Sequence, residues 1–213
     1  REHTYVEVRG NTVTIDCGDS RTGWVEAYEA FLDLSTDNYF DHTRPVCVYV
    51  DLHRVRAAGQ KLKGFGGTSN PIKLPGIFPK MAEILNDAYG RRLTSTEICL
   101  LIDEAAAVVV AGNIRRSAGM RQFASNDHEA ARAKDNLWQQ DDDGSWRIDP
   151  KRDALRMANH TRVFHGQPDF PTVQDAVRKQ FYSGEGAIQY VPEAVARANV
   201  DLLSDETKRR NFL

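Results

Sequence analysis

The stretch PVCVYVDL, residues 45–52, decides how the rest of the chain is read. Its valine-rich run is short, β-branched and apolar on both faces, whereas a half-exposed strand alternates apolar with polar positions. Pro45 closes the polar loop STDNYFDHTRP before it, and HRVRAAG follows. Such a run fits an interior parallel strand covered by helices on both sides. Parallel strands cannot be joined by a tight turn and need a long crossover, usually helical.

The flanking sequence supplies those helices. Upstream, TYVEVRGNTVTIDC alternates around Gly10-Asn11 and predicts a β-hairpin. Asp19 and Ser20 then offer N-cap side chains to WVEAYEAFLDL, whose apolar spacing is helical. Downstream, residues 53–76 form a glycine-rich, basic connection of a length that compact domains usually reserve for functional loops. A helix is predicted over FPKMAEILNDAY, stopping at Gly90. Thr94 and Glu97 have capping-box spacing for the helix 95–111. Ile98, Leu101, Ile102, Ala105 and Val109 line one face of it, and Leu100, Val108 and Val110 make the rest apolar, so burial nearly all round is expected.

Further on, MRQFA reads as a short strand, Ser125 or Asn126 as a helix cap, DDDGSW as a turn and DPKRDALRMA as a helix. NHTRVFH is a second strand and PTVQDAVRKQFY a helix, followed by the glycine turn SGEGAIQ and PEAVARANVDLL. Strands alternating with helices give an α/β class with at least partly parallel strands.

Composition bounds the function. At 213 residues, 41% hydrophobic and 27% charged, the chain can bury a core without disulfides or metal. A net charge of −2 gives no general pull toward nucleic acid or an anionic membrane. The most apolar segment, ICLLIDEAAAVVVA, is interrupted by Asp103 and Glu104, which excludes a membrane span there. These two acids read as a helix cap or surface charge. Cys17, Cys47 and Cys99 show no C-x-x-C and no metal-ligand spacing, so a reducing, cytoplasmic setting is expected, with Cys47 and Cys99 as buried packing residues. REHTYVEV opens directly in strand-like sequence, with no signal-peptide pattern, as expected of a piece of a longer protein.

No Ser-His-Asp or Cys-His arrangement emerges, and the six histidines read as structural. The candidates are instead binding residues. Asp19-Ser20 stands at a strand-to-helix junction, where α/β sheets bind ligands, although an N-cap is the commoner role. Arg54 and Arg56 fit either two solvated charges or a polyphosphate clamp. GFGGTSN (64–70) has glycines that let backbone approach a ligand but lacks the P-loop lysine. Arg115 and Arg116 sit among small residues with no acid nearby in sequence, and guanidinium groups suit phosphate or the acceptor edge of a base.

DSRTGW (19–24), VDLHRVRAAG (50–59), KGFGGTSNP (63–71), GRRLTSTEICLLIDEAAAVVVAGNIRRSA (90–118) and SGEGAIQ (183–189) together resemble the adenosylcobalamin-dependent (class II) ribonucleotide reductases, most nearly the monomeric ribonucleoside-triphosphate reductases. The resemblance runs over nearly the whole chain, and AGNIRRSA is its most specific motif. It implies an α/β fold that forms part of a ten-stranded barrel, mostly one half-barrel. It also implies reduction of ribonucleotides by a cysteine thiyl radical that adenosylcobalamin initiates, a thioredoxin-like reductant, and a deoxynucleoside triphosphate effector that selects the substrate base. Residues 1–213 would be the central effector-binding and specificity-loop segment of that barrel. By this resemblance Asp19, Ser20, Arg21 and Arg56 bind the effector. Gly112, Asn113, Ile114, Arg115, Arg116, Ser117 and Ala118 form the specificity loop, and Gly66, Gly67, Thr68, Ser69 and Asn70 belong to a loop near substrate or effector. Two motifs depart from the family pattern: Thr22 replaces a usual glutamate, and Ser69-Asn70-Pro71 replaces A-S-G-P. The family's N-P-C-x-E motif, which carries the radical cysteine, is nowhere in this chain, so the chain alone is expected to be inactive, and cobalamin is expected to bind elsewhere. The alternative is a nucleotide-binding regulatory domain without catalysis.

Overall fold

The computed structural model describes residues 2–36, 40, 43–61, 68–108, 110–111, 114–115 and 119–198, with backbone alone for 110–111 and 114–115. Two compact units are present: Arg1–Leu93 with Leu101–Ala118, and Thr94–Leu100 with Gly119–Leu213.

In the first unit, β1 (Tyr5–Arg9) and β2 (Thr12–Asp16) form the expected hairpin, Gly10 supplying the positive φ of +58° that the turn requires. The chain then runs through α1 (Arg21–Asp33) and returns as β3 (Cys47–Asp51), parallel to β2 with Val13 opposite Val48 and Ile15 opposite Val50. Val13 and Ile15 are fully buried. Ala27 and Phe31 of α1 join them in one core, with Leu74, Ile77, Phe78 and Met81 of α2 (Leu74–Asp87) and Leu101 and Val108 of α3 (Ser95–Val108). The Phe31 and Phe78 rings meet at 5.6 Å. Each such side chain removed from water stabilises the fold by about 1.5–3 kcal/mol.

Several expectations are corrected here. β3 is parallel, but it is the last strand of its described sheet rather than an interior one. Its side chains alternate between half-buried Val48 and Val50 and exposed Cys47, Tyr49 and Asp51, so Cys47 is not a packing residue. The physical reason is that the described core lies against one face of the sheet only. α2 begins at Leu74, ahead of Phe78, because Pro71 opens a 3₁₀ turn and Pro75 falls in the first helical turn, where a missing N–H is tolerated. The capping box of α3 is complete: the Thr94 N–H donates to Glu97 Oε2 at 2.8 Å and the Glu97 N–H to Thr94 Oγ1 at 3.2 Å. The helix stops at Val108 rather than at 111, consistent with the poor helical fit of a β-branched run. Val110–Ala111 (β4) instead pairs antiparallel with Ile114–Arg115 (β5). Nor is α3 buried all round, since Ile98 and Ile102 are each 45% exposed while Asp103 and Glu104 are buried. Glu104 is no surface charge; it accepts a hydrogen bond from Lys80 Nζ at 2.8 Å.

The second unit is built on β6 (Gly119–Ala124), β9 (Ala158–Phe164) and β10 (Ala187–Tyr190), parallel throughout in the order β10-β9-β6. Between β6 and β9 come α4 (His128–Arg132) and the hairpin β7 (Trp138–Gln140) with β8 (Trp146–Ile148). Asp127, not Ser125 or Asn126, caps α4 by accepting from the Ala130 N–H. DPKRDALRMA yields only a 3₁₀ turn at Asp153–Met157. α5 (Phe170–Ser183) makes the crossover to β10, ending at Gly184 with φ +72°, and α6 (Val191–Arg197) follows. The α/β class therefore holds, while the described sheets have only two or three strands each and do not by themselves close a barrel. No helix among the described residues is long and apolar enough to cross a membrane.

Candidate functional site

The parallel register of β2 and β3 sets Asp16 opposite Asp51, and the Cys17 N–H donates to the Asp51 carbonyl at 2.9 Å. The segments leaving the two strands therefore start side by side at their carboxyl ends, where open α/β sheets form ligand crevices. Asp19 and Arg56, 37 residues apart, meet there. The Arg56 Nε donates to both carboxylate oxygens of Asp19, at 2.9 and 3.1 Å, and the Arg56 backbone N–H adds a third bond at 3.1 Å. Burial alone would raise the Asp19 carboxyl, but the hydrogen bonds and charge of Arg56 outweigh it and hold the group below its ordinary value. Arg54 makes the matching pair with Asp16, Nε to Oδ1 at 2.6 Å. The two arginines are thus neither solvated charges nor an empty clamp; Arg54 is oriented by Asp16 at the end of β2 and Arg56 by Asp19 just beyond it. Arg56 Nη1 has no hydrogen bond among the described residues and remains able to donate.

Asp16, Asp51 and His53 also bring ligand atoms within 4.8 Å of one another. Asp16 is already engaged by Arg54, and Asp51 Oδ1 faces His53 Nδ1 at 2.8 Å, so the cluster is satisfied without an ion.

DSRTGW folds locally because its glycine is needed. The N-terminal residues cross the β2–α1 junction so closely that a Cβ on Gly23 would lie 2.6 Å from the Glu2 carbonyl, and one on Gly18 2.5 Å from it. Thr4 fastens this crossing: its hydroxyl donates to the Gly23 carbonyl at 2.6 Å and its N–H to Glu26 at 2.8 Å. Ser20 accepts from the Gly23 N–H at 2.8 Å and donates to the Glu2 carbonyl, so its hydroxyl is committed to capping and fastening. Sequence reasoning missed this strap, because only Gly23 hinted at it. Arg21 is exposed at the first position of α1, a helix with no acid in its first turn.

Of the glycine-rich loop, Thr68, Ser69 and Asn70 are described, while Gly66 and Gly67 lie outside the described residues. The loop base is closed by the Gly59 N–H to the Ser69 carbonyl, 2.9 Å, and the Ser69 N–H to the Gln60 carbonyl, 2.7 Å. Buried Ser69 also donates its hydroxyl to the Ala57 carbonyl at 2.9 Å, one residue beyond Arg56. Of the residues expected to form a specificity loop, Ile114 and Arg115 are described as backbone in β5; Gly112, Asn113, Arg116, Ser117 and Ala118 lie outside the described residues. Cys17 is buried, which pushes its thiol up to about 11 and keeps it protonated at neutral pH, unsuited to redox exchange.

Residues 2–85 match the family described as B12-dependent ribonucleotide reductase, insertion domain. The adenosylcobalamin-dependent ribonucleoside-triphosphate reductase of Lactobacillus helveticus (strain DPC 4571) is 34% identical over 131 residues, which is 58% of this chain and 17% of that protein. The enzyme of the same name from Lactobacillus leichmannii is 38% identical over 118 residues, 52% of this chain and 15% of that protein. A crystal structure of a B-12 dependent (class II) ribonucleotide reductase superposes with a TM-score of 0.64 at 21% identity, over 87% of this chain and 24% of that one. The chain thus spans less than a fifth of the length of these curated relatives. In sequence the chain is similar to the adenosylcobalamin-dependent (class II) ribonucleotide reductases, and in fold to a solved member of that class.

Proposed function

We propose that this chain carries the effector-binding and specificity-loop region of a ribonucleotide reductase that converts ribonucleoside triphosphates to deoxyribonucleotides, as part of that enzyme's α/β barrel. The observation that carries the reading is the meeting of Asp19 and Arg56 at the carboxyl ends of two parallel strands. Arg56 Nη1 and the nearby cationic start of α1, with Arg21 and no acid, offer a phosphate chain donors and positive potential. The Asp19 oxygens hold Arg56 in place and accept from a sugar hydroxyl. Arg115 and Arg116 read the substrate base, and the antiparallel pairing of 110–111 with 114–115 sets Arg115 beside the end of the chain leaving α3.

Adenosylcobalamin, when bound, supplies the radical that starts the chemistry. The 790 Å³ cleft in the second unit does not fit it, since five basic and three acidic side chains stand among its apolar ones, a density of charge that does not suit a corrin ring. Cobalamin, the radical cysteine and the reductant's dithiol therefore belong to other parts of the enzyme, and this chain's share is recognition.

Calorimetric titration of the chain with deoxynucleoside triphosphates tests the reading. Losing a charge-assisted contact costs about 1.5–3 kcal/mol, so Arg56→Gln is expected to weaken binding about ten- to hundredfold. Equal affinity in Arg56→Gln and Asp19→Asn overturns the site. In the complete enzyme, Arg115→Ala or Arg116→Ala is expected to change which substrate each effector promotes, and unchanged substrate ratios overturn the loop assignment. Absence of any nucleotide heat would favour an inert scaffold.

A further inference from the structure

The second unit contains a cleft of 790 Å³ that the effector reading does not use. Strands β6, β9 and β10 contribute Phe123, His160, Arg162 and Ile188 to it, while α4, the segment after it, α5 and the turn leading into β10 contribute most of the rest. His160 is only 6% exposed, yet neither ring nitrogen makes a well-formed hydrogen bond to any described residue, the Ala130 backbone offering only a poorly aligned contact. Buried polar groups are almost always satisfied, so one left open in the wall of a cleft calls for an occupant. Its ring meets Phe123 edge-on at 6.1 Å. Burial first, then the charge of Lys134, with smaller contributions from Arg121 and Lys179, outweigh the opposing effect of the Ala130 backbone and lower the imidazole to about 4. At neutral pH it is therefore uncharged, with one N–H to donate and one nitrogen to accept, in positive potential.

The other charges in the lining settle the sign of the ligand. Lys134 is held by Glu185 at 2.8 Å and Lys179 by Asp135 at 2.6 Å, so these four groups cancel in pairs. Arg132, Arg162 and Arg178 then face Asp175 alone. Arg162 is fixed through Nε on the Ser125 carbonyl at 2.7 Å and lies 5.2 Å over the Phe164 ring. Its Nη groups make no hydrogen bond among the described residues. A fixed guanidinium with open donors suits phosphate oxygens.

We propose that this cleft binds a phosphate-bearing ligand, His160 donating its ring N–H to a phosphate oxygen and Arg162 pairing with the same group. The volume is that of a nucleotide-sized site, and Phe123 offers a ring on which a flat base can rest. Free phosphate and the phosphates of a nucleotide share this chemistry.

Nuclear magnetic resonance of the ¹⁵N-labelled imidazoles in the full 213-residue chain tests it, with inorganic pyrophosphate and a deoxynucleoside triphosphate as separate probes. A saturable shift of both His160 nitrogens is expected with pyrophosphate, requiring about tenfold more ligand in Arg162→Gln or, on the exposed side of α5, Arg178→Gln. Tighter saturation by the nucleotide identifies a nucleotide as the occupant, and equal saturation identifies free phosphate. Absence of a saturable His160 shift with either probe overturns the proposal, as does a shift that both arginine variants leave unchanged. Asp19→Asn is expected to leave the titration intact; its loss in that variant would trace the signal to the first unit and overturn the proposal too.

Discussion

Acid should destabilise the second unit through His160 as pH falls from 6.5 toward 4. The unfolded ring takes a proton near 6.5, whereas the folded ring refuses one until about 4. A group whose folded pKa is depressed leaves the unfolded state binding more protons between those two values, so stability is fully present above 6.5 and drains away as pH falls toward 4. Each pH unit in that window is worth about 1.4 kcal/mol, which makes the loss about 2 kcal/mol by pH 5 and about 3 kcal/mol by pH 4. Against a domain stability of about 5–15 kcal/mol this is a large fraction.

The assay is urea unfolding in phosphate-free buffer, followed by the fluorescence of Trp138 and Trp146 in a Trp24→Phe background that silences the first unit's tryptophan. Between pH 7.5 and 5 the midpoint should fall by about 1 M urea, taking a slope of about 1–3 kcal/mol per molar. In His160→Gln, which has no proton to take up, that fall should be absent. Asp127 and Asp149, also in the second unit, are held below their ordinary values and titrate below the window, so they do not imitate the effect. Parallel pH curves for the parent and His160→Gln would refute the reasoning, since they would mean the buried ring is protonated as readily folded as unfolded.

Three further outcomes are expected. Thr94→Ala and Glu97→Ala each remove one half of the reciprocal capping box and should cost about 1 kcal/mol in thermal unfolding, with the double variant less than additive; full additivity would deny the coupling. Lys80→Met strands the Glu104 carboxylate, whose side chain is 8% exposed, and should cost about 2 kcal/mol because the lysine end is itself reached by water; adding Glu104→Gln should recover most of it, and no recovery would show that Lys80 acts by packing. Gly23→Ala drives a Cβ into the Glu2 backbone and should cost about 1–3 kcal/mol while exposing the N-terminal residues to limited proteolysis, an outcome that unchanged cleavage would refute.

Much of the fold was legible because it is locally encoded. The Gly10-Asn11 turn, the Ser20 cap, the Thr94–Glu97 box and the Gly184 stop each depend on residues within one turn of one another, and all four form. The misreadings have nonlocal causes. PVCVYVDL reads as a strand covered on both faces, yet Cys47 and Tyr49 are exposed because the described core lies against one face only, a fact about the rest of the fold. Asp103 and Glu104 looked like surface charge because sequence does not reveal that Lys80, 24 residues earlier on another helix, reaches Glu104.

The site divides along the same line. Asp19 and Arg56 stand out in the sequence through their motifs, and their opposite charges follow from side-chain type. Their bond to each other was not legible, because it depends on the register that sets Asp16 opposite Asp51. A shift of one residue in that register would turn alternate side chains to the other face and separate the two segments. Ser20 shows the converse. Its type suits either a helix cap or a ligand contact, and the crossing of residues 2–4 over the junction commits its hydroxyl to the backbone. His160 lay beyond sequence reasoning altogether, since a histidine in a strand is equally compatible with a satisfied core residue. Only the lack of a well-formed hydrogen bond to any described residue at 6% exposure, in a wall shared with a fixed arginine, distinguishes it. A site made by register or by missing partners therefore has to be argued from the fold, and a site made by a local motif need not be.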